Sequence, residues 1–201
     1  MRKLTLLLLA AVIFVSVNVA NAGIYFEPYF GSLVSGEISG ETYDAAYDLD
    51  NDNEKTVAVT GSVYGARVGM DFINVAMGLD YMAGSPSFDG DSSTLTNMGI
   101  FFAFKIPMVR FWAEYIFSAK VSSTNDDDET ATFDKGTGTK IGVGYSPIPY
   151  LSINFEVLSN TFTEVSIEDE NGDDILDAAN LDWKDHENKL SAYMLSISVP
   201  I

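Results

Sequence analysis

Ten charged residues share a pattern of spacing. Glu27, Arg67, Asp71, Asp80, Lys105, Arg110, Glu114, Lys120, Lys140 and Glu156 each stand between uncharged, mostly apolar neighbours in segments of alternating character. A period of two puts all of them on one face of an extended chain. Five are acids and five are bases, so the set sums to zero. Charges gathered on one face can line a narrow ion path. They can also satisfy one another inside a closed wall, where an unpaired ion is expensive. The strands read below number eight, and an eight-stranded wall is only wide enough to be filled by side chains. The expectation is a luminal charge network with a structural role, and a small pore is the alternative.

Other candidates for chemistry are sparse. His186 is the one histidine and lies in Asp185-His186-Glu187. Imidazole titrates near neutrality, but a catalytic triad also needs a placed nucleophile and an orienting partner. No spacing in the chain supplies them, so no catalytic residue and no enzyme activity is expected. Asp48, Asp50 and Asp52 alternate like the start of a calcium loop, and so do Asp169, Asn171 and Asp173. However, Asn53 and Asp174 occupy the glycine position of an EF-hand, and Val59 and Asn180 occupy that of its bidentate glutamate. These runs are expected to be solvated acidic loops. No resident cofactor or metal site follows, although carboxylates of this kind suit weak capture of Mg²⁺ or Ca²⁺. The chain has no cysteine, which excludes a disulfide scaffold and a thiolate zinc site.

The elements that position the ten charges read as strands. Tyr25, Glu27, Tyr29 and Gly31 oppose Ile24, Phe26, Pro28 and Phe30. The same alternation recurs near 57–72, 75–86, 96–105, 109–121, 137–146, 150–162 and 192–201, which makes eight segments. Most are long enough for a tilted membrane strand of about 9–11 residues. Connections alternate in length. Short ones fall at Ile73-Asn74, Ile106-Pro107-Met108 and Pro147-Ile148-Pro149, and long ones at 37–56, 87–95, 122–136 and 163–188. The other 24 acids lie in or beside the long connections.

The start of the chain has a different logic. Arg2 and Lys3 precede an apolar run from Leu6 to Val17, and Ala20-Asn21-Ala22 follows as a small-x-small cleavage site. That order is a secretory leader over 1–22, leaving 23–201 as one domain. The run is short of the ~20 residues of a membrane-spanning helix. Loss of the leader takes the net charge from −18 to −20. Such a chain should repel the phosphates of nucleic acid.

Periodicity alone suits a water-soluble barrel as well as a membrane one. A soluble barrel buries its apolar parity and wets the charged one. A membrane barrel does the reverse. Three features favour the membrane: glycine is frequent on the charged parity, the charge there is balanced, and Tyr25, Phe26, Phe72, Phe104, Tyr145 and Tyr150 sit near strand ends like an interfacial girdle. The stretches Tyr25-Phe26-Glu27-Pro28-Tyr29-Phe30-Gly31, Tyr64-Gly65-Ala66-Arg67-Val68-Gly69, Gly78-Leu79-Asp80-Tyr81 and Gly142-Val143-Gly144-Tyr145 then carry a likeness. The chain resembles the small OmpA/OmpX-like outer-membrane β-barrels. The resemblance implies an all-β fold: an eight-stranded antiparallel up-and-down transmembrane barrel with short periplasmic turns and long acidic extracellular loops. It also implies a cell outer membrane location and insertion by the barrel-assembly machinery. That machinery reads a last strand usually ending in an aromatic residue, and here the chain ends in Pro200-Ile201. The role expected is structural or surface-interactive in the cell envelope. The expected contacts are outer-membrane lipid and lipopolysaccharide, with the protein a monomer. Alternatives are a soluble periplasmic ligand-binding barrel and an outer-membrane lipid-active enzyme.

Overall fold

A computed structural model describes residues 23–39, 57–88, 91–124, 130–148, 150–168 and 187–201. The expected leader, His186 and both runs with calcium-loop spacing lie outside these residues. The described chain forms strands β1 (Gly23–Ser39), β2 (Val57–Asp71), β3 (Val75–Phe88), β4 (Asp91–Ile106), β5 (Val109–Thr124), β6 (Thr130–Ile148), β7 (Leu151–Phe162), β8 (Glu164–Glu168) and β9 (Asn188–Ser198). All neighbours pair antiparallel, and the pairings β1–β9 and β5–β6 close the sheet. β8 is not a ninth wall strand. It continues the register of β7 across Thr163: Thr137 faces Thr161, and Asp134 faces Glu164. The result is a closed eight-stranded up-and-down barrel.

Tight connections mark one end, called lower here. Phe72 and Val75 exchange backbone hydrogen bonds of 2.7 and 3.3 Å around Ile73-Asn74. At Pro107-Met108 the proline pre-sets φ and Met108 takes φ 66°, the pattern of a type II turn. Both termini of the barrel meet at this end, where Phe26 and Ile201 exchange bonds of 3.1 and 2.8 Å.

Strands run further toward the upper end than the sequence reading expects. β3 and β4 reach Phe88 and Asp91, and β5 and β6 reach Thr124 and Thr130, so the long connections expected at 87–95 and 122–136 are mostly sheet. These stretches alternate too. Leu95, Val121, Ala131 and Phe133 face in, while Thr94, Thr96, Ser122 and Thr132 face out. Hydroxyls on the outer parity give the appearance of a loop.

The polarity of the wall reverses along its axis. In the lower half Phe26, Val68, Leu79, Ile100, Phe102, Ile141, Ile153 and Leu195 face out and are about half exposed, as are their neighbours around the barrel. The interior at that height is charged. In the upper half Thr60, Ser62, Ser85, Thr94, Ser159 and Ser191 face out. There the interior is a packed cluster that includes Leu33, Val59, Val63, Leu95, Ile116, Val121, Phe162 and Leu190. The expectation of a polar lumen therefore holds for the lower half only; above it the barrel is built like a water-soluble one. Soluble monomers rarely expose contiguous apolar patches beyond a few hundred Å², and the lower belt encircles the molecule.

Candidate functional site

The charged residues meet because the strand register makes them cross-strand neighbours. Glu27 pairs with Arg67 and Arg67 with Asp80 along β1, β2 and β3. Glu114 on β5 faces Lys140 on β6. Opposite charges on directly facing positions attract, and the closed wall then brings these rows together across the lumen.

Arg67 is the hub. Its Nη1 donates to Glu27 Oε2 at 3.3 Å, its Nε to Asp80 Oδ2 at 3.1 Å and its Nη2 to Glu156 Oε2 at 2.6 Å. Lys140 Nζ reaches Asp80 Oδ2 at 2.6 Å and Glu114 Oε2 at 2.9 Å. Arg110 pairs with Glu27 Oε1 and donates to Asn154 Oδ1 at 3.3 Å. Neutral groups complete the set. Tyr29 donates to Asp80 Oδ1 at 3.0 Å, and Ser196 to Glu156 Oε1 at 2.8 Å. Trp112 packs against two guanidinium groups, with Arg67 Cζ 4.5 Å and Arg110 Cζ 4.8 Å from its ring. Such cation–π contacts stabilise by about 0.5–2 kcal/mol each, more when desolvated. The phenol, indole and amide groups lie on the same parity as the charges, so parity was the signal that could have found them.

Seven of the ten expected residues form this buried layer: Glu27, Arg67, Asp80, Arg110, Glu114, Lys140 and Glu156. The other three stand apart. Asp71 and Lys105 pair with each other at the lower rim and are partly exposed. Lys120 is not luminal. A bulge between Ile116 and Ala119 turns both of these inward, and an inserted residue flips the parity beyond it. Lys120 therefore points outward, 3.5 Å from Asp134. The balance of five and five becomes four acids and three bases in the buried layer.

Chemically the layer is a lock. Every cation in it touches a carboxylate, and no histidine stands among the described residues. Tyr25, Phe101 and Trp112 pack with Ala76 and Ala103 in the lower part of the lumen, and the aliphatic cluster fills the upper part. Among the described residues no group of His, Cys, Asp and Glu has the arrangement of a metal site.

No family model matches the chain, and no curated protein sequence matches it. Among solved structures, the fold is similar to Neisserial surface protein A (NspA), with a TM-score of 0.49 and 12% identity over 89% of this chain and 98% of that one. It is also similar to the outer membrane protease OmpT from Escherichia coli, with a TM-score of 0.38 and 10% identity over 92% and 98% of the two chains. The likeness is one of fold.

Proposed function

We propose that this protein is an outer-membrane β-barrel with a structural or surface-interaction role in the cell envelope. The observation that carries the reading is the apolar belt around a sealed ionic interior. On β4 the belt runs from Met98 to Ile106. That is about 26 Å of strand, or roughly 20 Å of height at a tilt near 40°. Outer-membrane barrels carry an apolar band about 25 Å tall. The sealed lumen argues for a plug rather than a pore. The barrel then sits as a monomer among outer-membrane lipid and lipopolysaccharide, delivered by a leader and the barrel-assembly machinery. The upper half of the wall stands outside the bilayer as the surface available for contact. No set of side chains in the described residues supports a lipid-active enzyme, and the ionic lower lumen does not suit a soluble carrier of apolar ligands.

Two measurements test this. Membrane fractionation with heat-modifiable gel mobility should place the chain with the outer membrane, and a chain that stays in solution without detergent would end the reading. In planar bilayers the pure protein should give no steady openings, and sustained conductance would replace the plug with a pore.

A further inference from the structure

The outer wall carries a groove that is backed by bare backbone on the inner face. Gly69 and Gly78 are cross-strand partners on the luminal parity of β2 and β3. A Cβ on Gly69 would lie 2.7 Å from the Cα of Gly78, and one on Gly78 would lie 2.6 Å from the Cα of Gly69. In the same row, Tyr25 flanks Gly69 and Phe101 flanks Gly78. Three strand spacings would separate Tyr25 from Phe101 by about 14 Å, yet their ring centroids are 5.5 Å apart. The two rings close over bare backbone. On the other side of that backbone lies a groove with a volume of about 820 Å³.

Two rows of outward side chains border it. Leu79, Ile100 and Tyr115 are cross-strand partners in one row, and Met77, Phe102 and Ala113 in the other. Ala113 is the low point of the rim. Val68 and Met70 continue the rows onto β2, so that, two residues or about 7 Å apart along the strands, they cross four strands over about 14 Å. All of these side chains are apolar except for the phenol of Tyr115.

We propose that this groove holds one acyl chain of an outer-membrane lipid, laid across β2 to β5. The proposal rests on the membrane reading above, because the groove lies inside the apolar belt and is surrounded by it. An α-helix, about 10 Å across with its side chains, is too wide for it. An added β-strand finds no free backbone there, since β2, β3, β4 and β5 are each paired on both sides.

The test uses the full mature barrel in micelles carrying dimyristoyl-phosphatidylethanolamine, read by native mass spectrometry. The parent protein should retain one lipid. Ala113→Phe, which fills the low point, should weaken retention at least tenfold, and Ala113→Leu should do so to a lesser degree. Val143→Phe, in the belt but outside the groove, should retain lipid as the parent does. Heat-modifiable mobility checks that each variant is folded, and the smaller leucine variant keeps the test open if phenylalanine prevents folding. Equal retention by the parent and both Ala113 variants would overturn the proposal. So would a parent dimer that Ala113→Phe splits, which would make a second copy the occupant. Neither result touches the membrane reading, which falls only if the parent needs no detergent.

Discussion

Replacing Arg67 with methionine keeps most of the side-chain volume and removes the hub of the ionic layer. Three carboxylates lose a partner, but not equally. Glu27 keeps Arg110 and Tyr25, and Asp80 keeps Lys140 and Tyr29. Glu156 is left with the Ser196 hydroxyl and no cation among the contacts that the described residues make to it. Breaking a fully buried pair by deleting one partner costs about 3–5 kcal/mol. R67M should therefore lower the ratio of folded to unfolded protein by a factor between roughly a hundred and several thousand. Removing the stranded charge as well, in R67M/E156Q, should recover about 2 kcal/mol, because the desolvated carboxylate is the main expense. Equilibrium urea unfolding of the parent, R67M, E156Q and R67M/E156Q in micelles, followed by tryptophan fluorescence and by gel mobility, gives all four corners of the cycle. Lys120→Met serves as the control. Its pair with Asp134 is about half exposed and should contribute less than about 1 kcal/mol. An R67M protein within about 1 kcal/mol of the parent, or a double variant no more stable than R67M, would refute the picture of a sealed, mutually dependent layer.

Other substitutions probe the remaining parts. Leu95→Ala, in the upper cluster, should cost about 2–5 kcal/mol in the same unfolding assay while leaving planar bilayers silent, since the ionic layer below is untouched. Gly65→Val should block formation of the compact, heat-modifiable form, because a Cβ there would lie 2.3 Å from the Tyr81 carbonyl oxygen and 2.5 Å from the Tyr29 ring. Gly23→Ala, whose nearest neighbour would be 3.9 Å away, should fold normally. Lys105→Met, at the partly exposed lower rim, should shift the urea midpoint by the equivalent of about 1 kcal/mol or less.

The sequence made the lower half of the barrel legible and the upper half less so. In the lower half, side chains of opposite character alternate, so strand number, pairing order and the shared parity of Glu27, Arg67, Asp80 and Lys140 could be read directly, while the glycines and the balance of charge pointed that parity inward. Above it, hydroxyls take the outer parity and aliphatic residues the inner. Short runs such as Ser93-Thr94-Leu95 then look like connection rather than strand. The bulges were not legible at all. Lys135 adopts φ 49° within β6, and β5 carries its extra residue between Ile116 and Ala119. A bulge of this kind depends on how two strands must shear to close the wall, which no local residue type announces. Lys120 lies just beyond one, and counting by twos placed it on the wrong face. The rim pair of Asp71 and Lys105 was misjudged for a simpler reason: alternation reports which face a residue takes, not how deep along the axis it lies.

The reversal of polarity at one height fixes a waterline. Sinking such a barrel by one pair of residues, roughly 5 Å along the axis, would draw a ring of serine and threonine hydroxyls into hydrocarbon. Each would lose water at a cost of about 1–3 kcal/mol. Raising it by the same step would bare a ring of aromatic and aliphatic side chains to water. Either displacement, summed around eight strands, exceeds thermal energy many times over. In the outer membrane proposed above, a barrel built this way would float at one depth and could not bob. Whatever its upper rim presents would then be held at a constant stand-off from the bilayer.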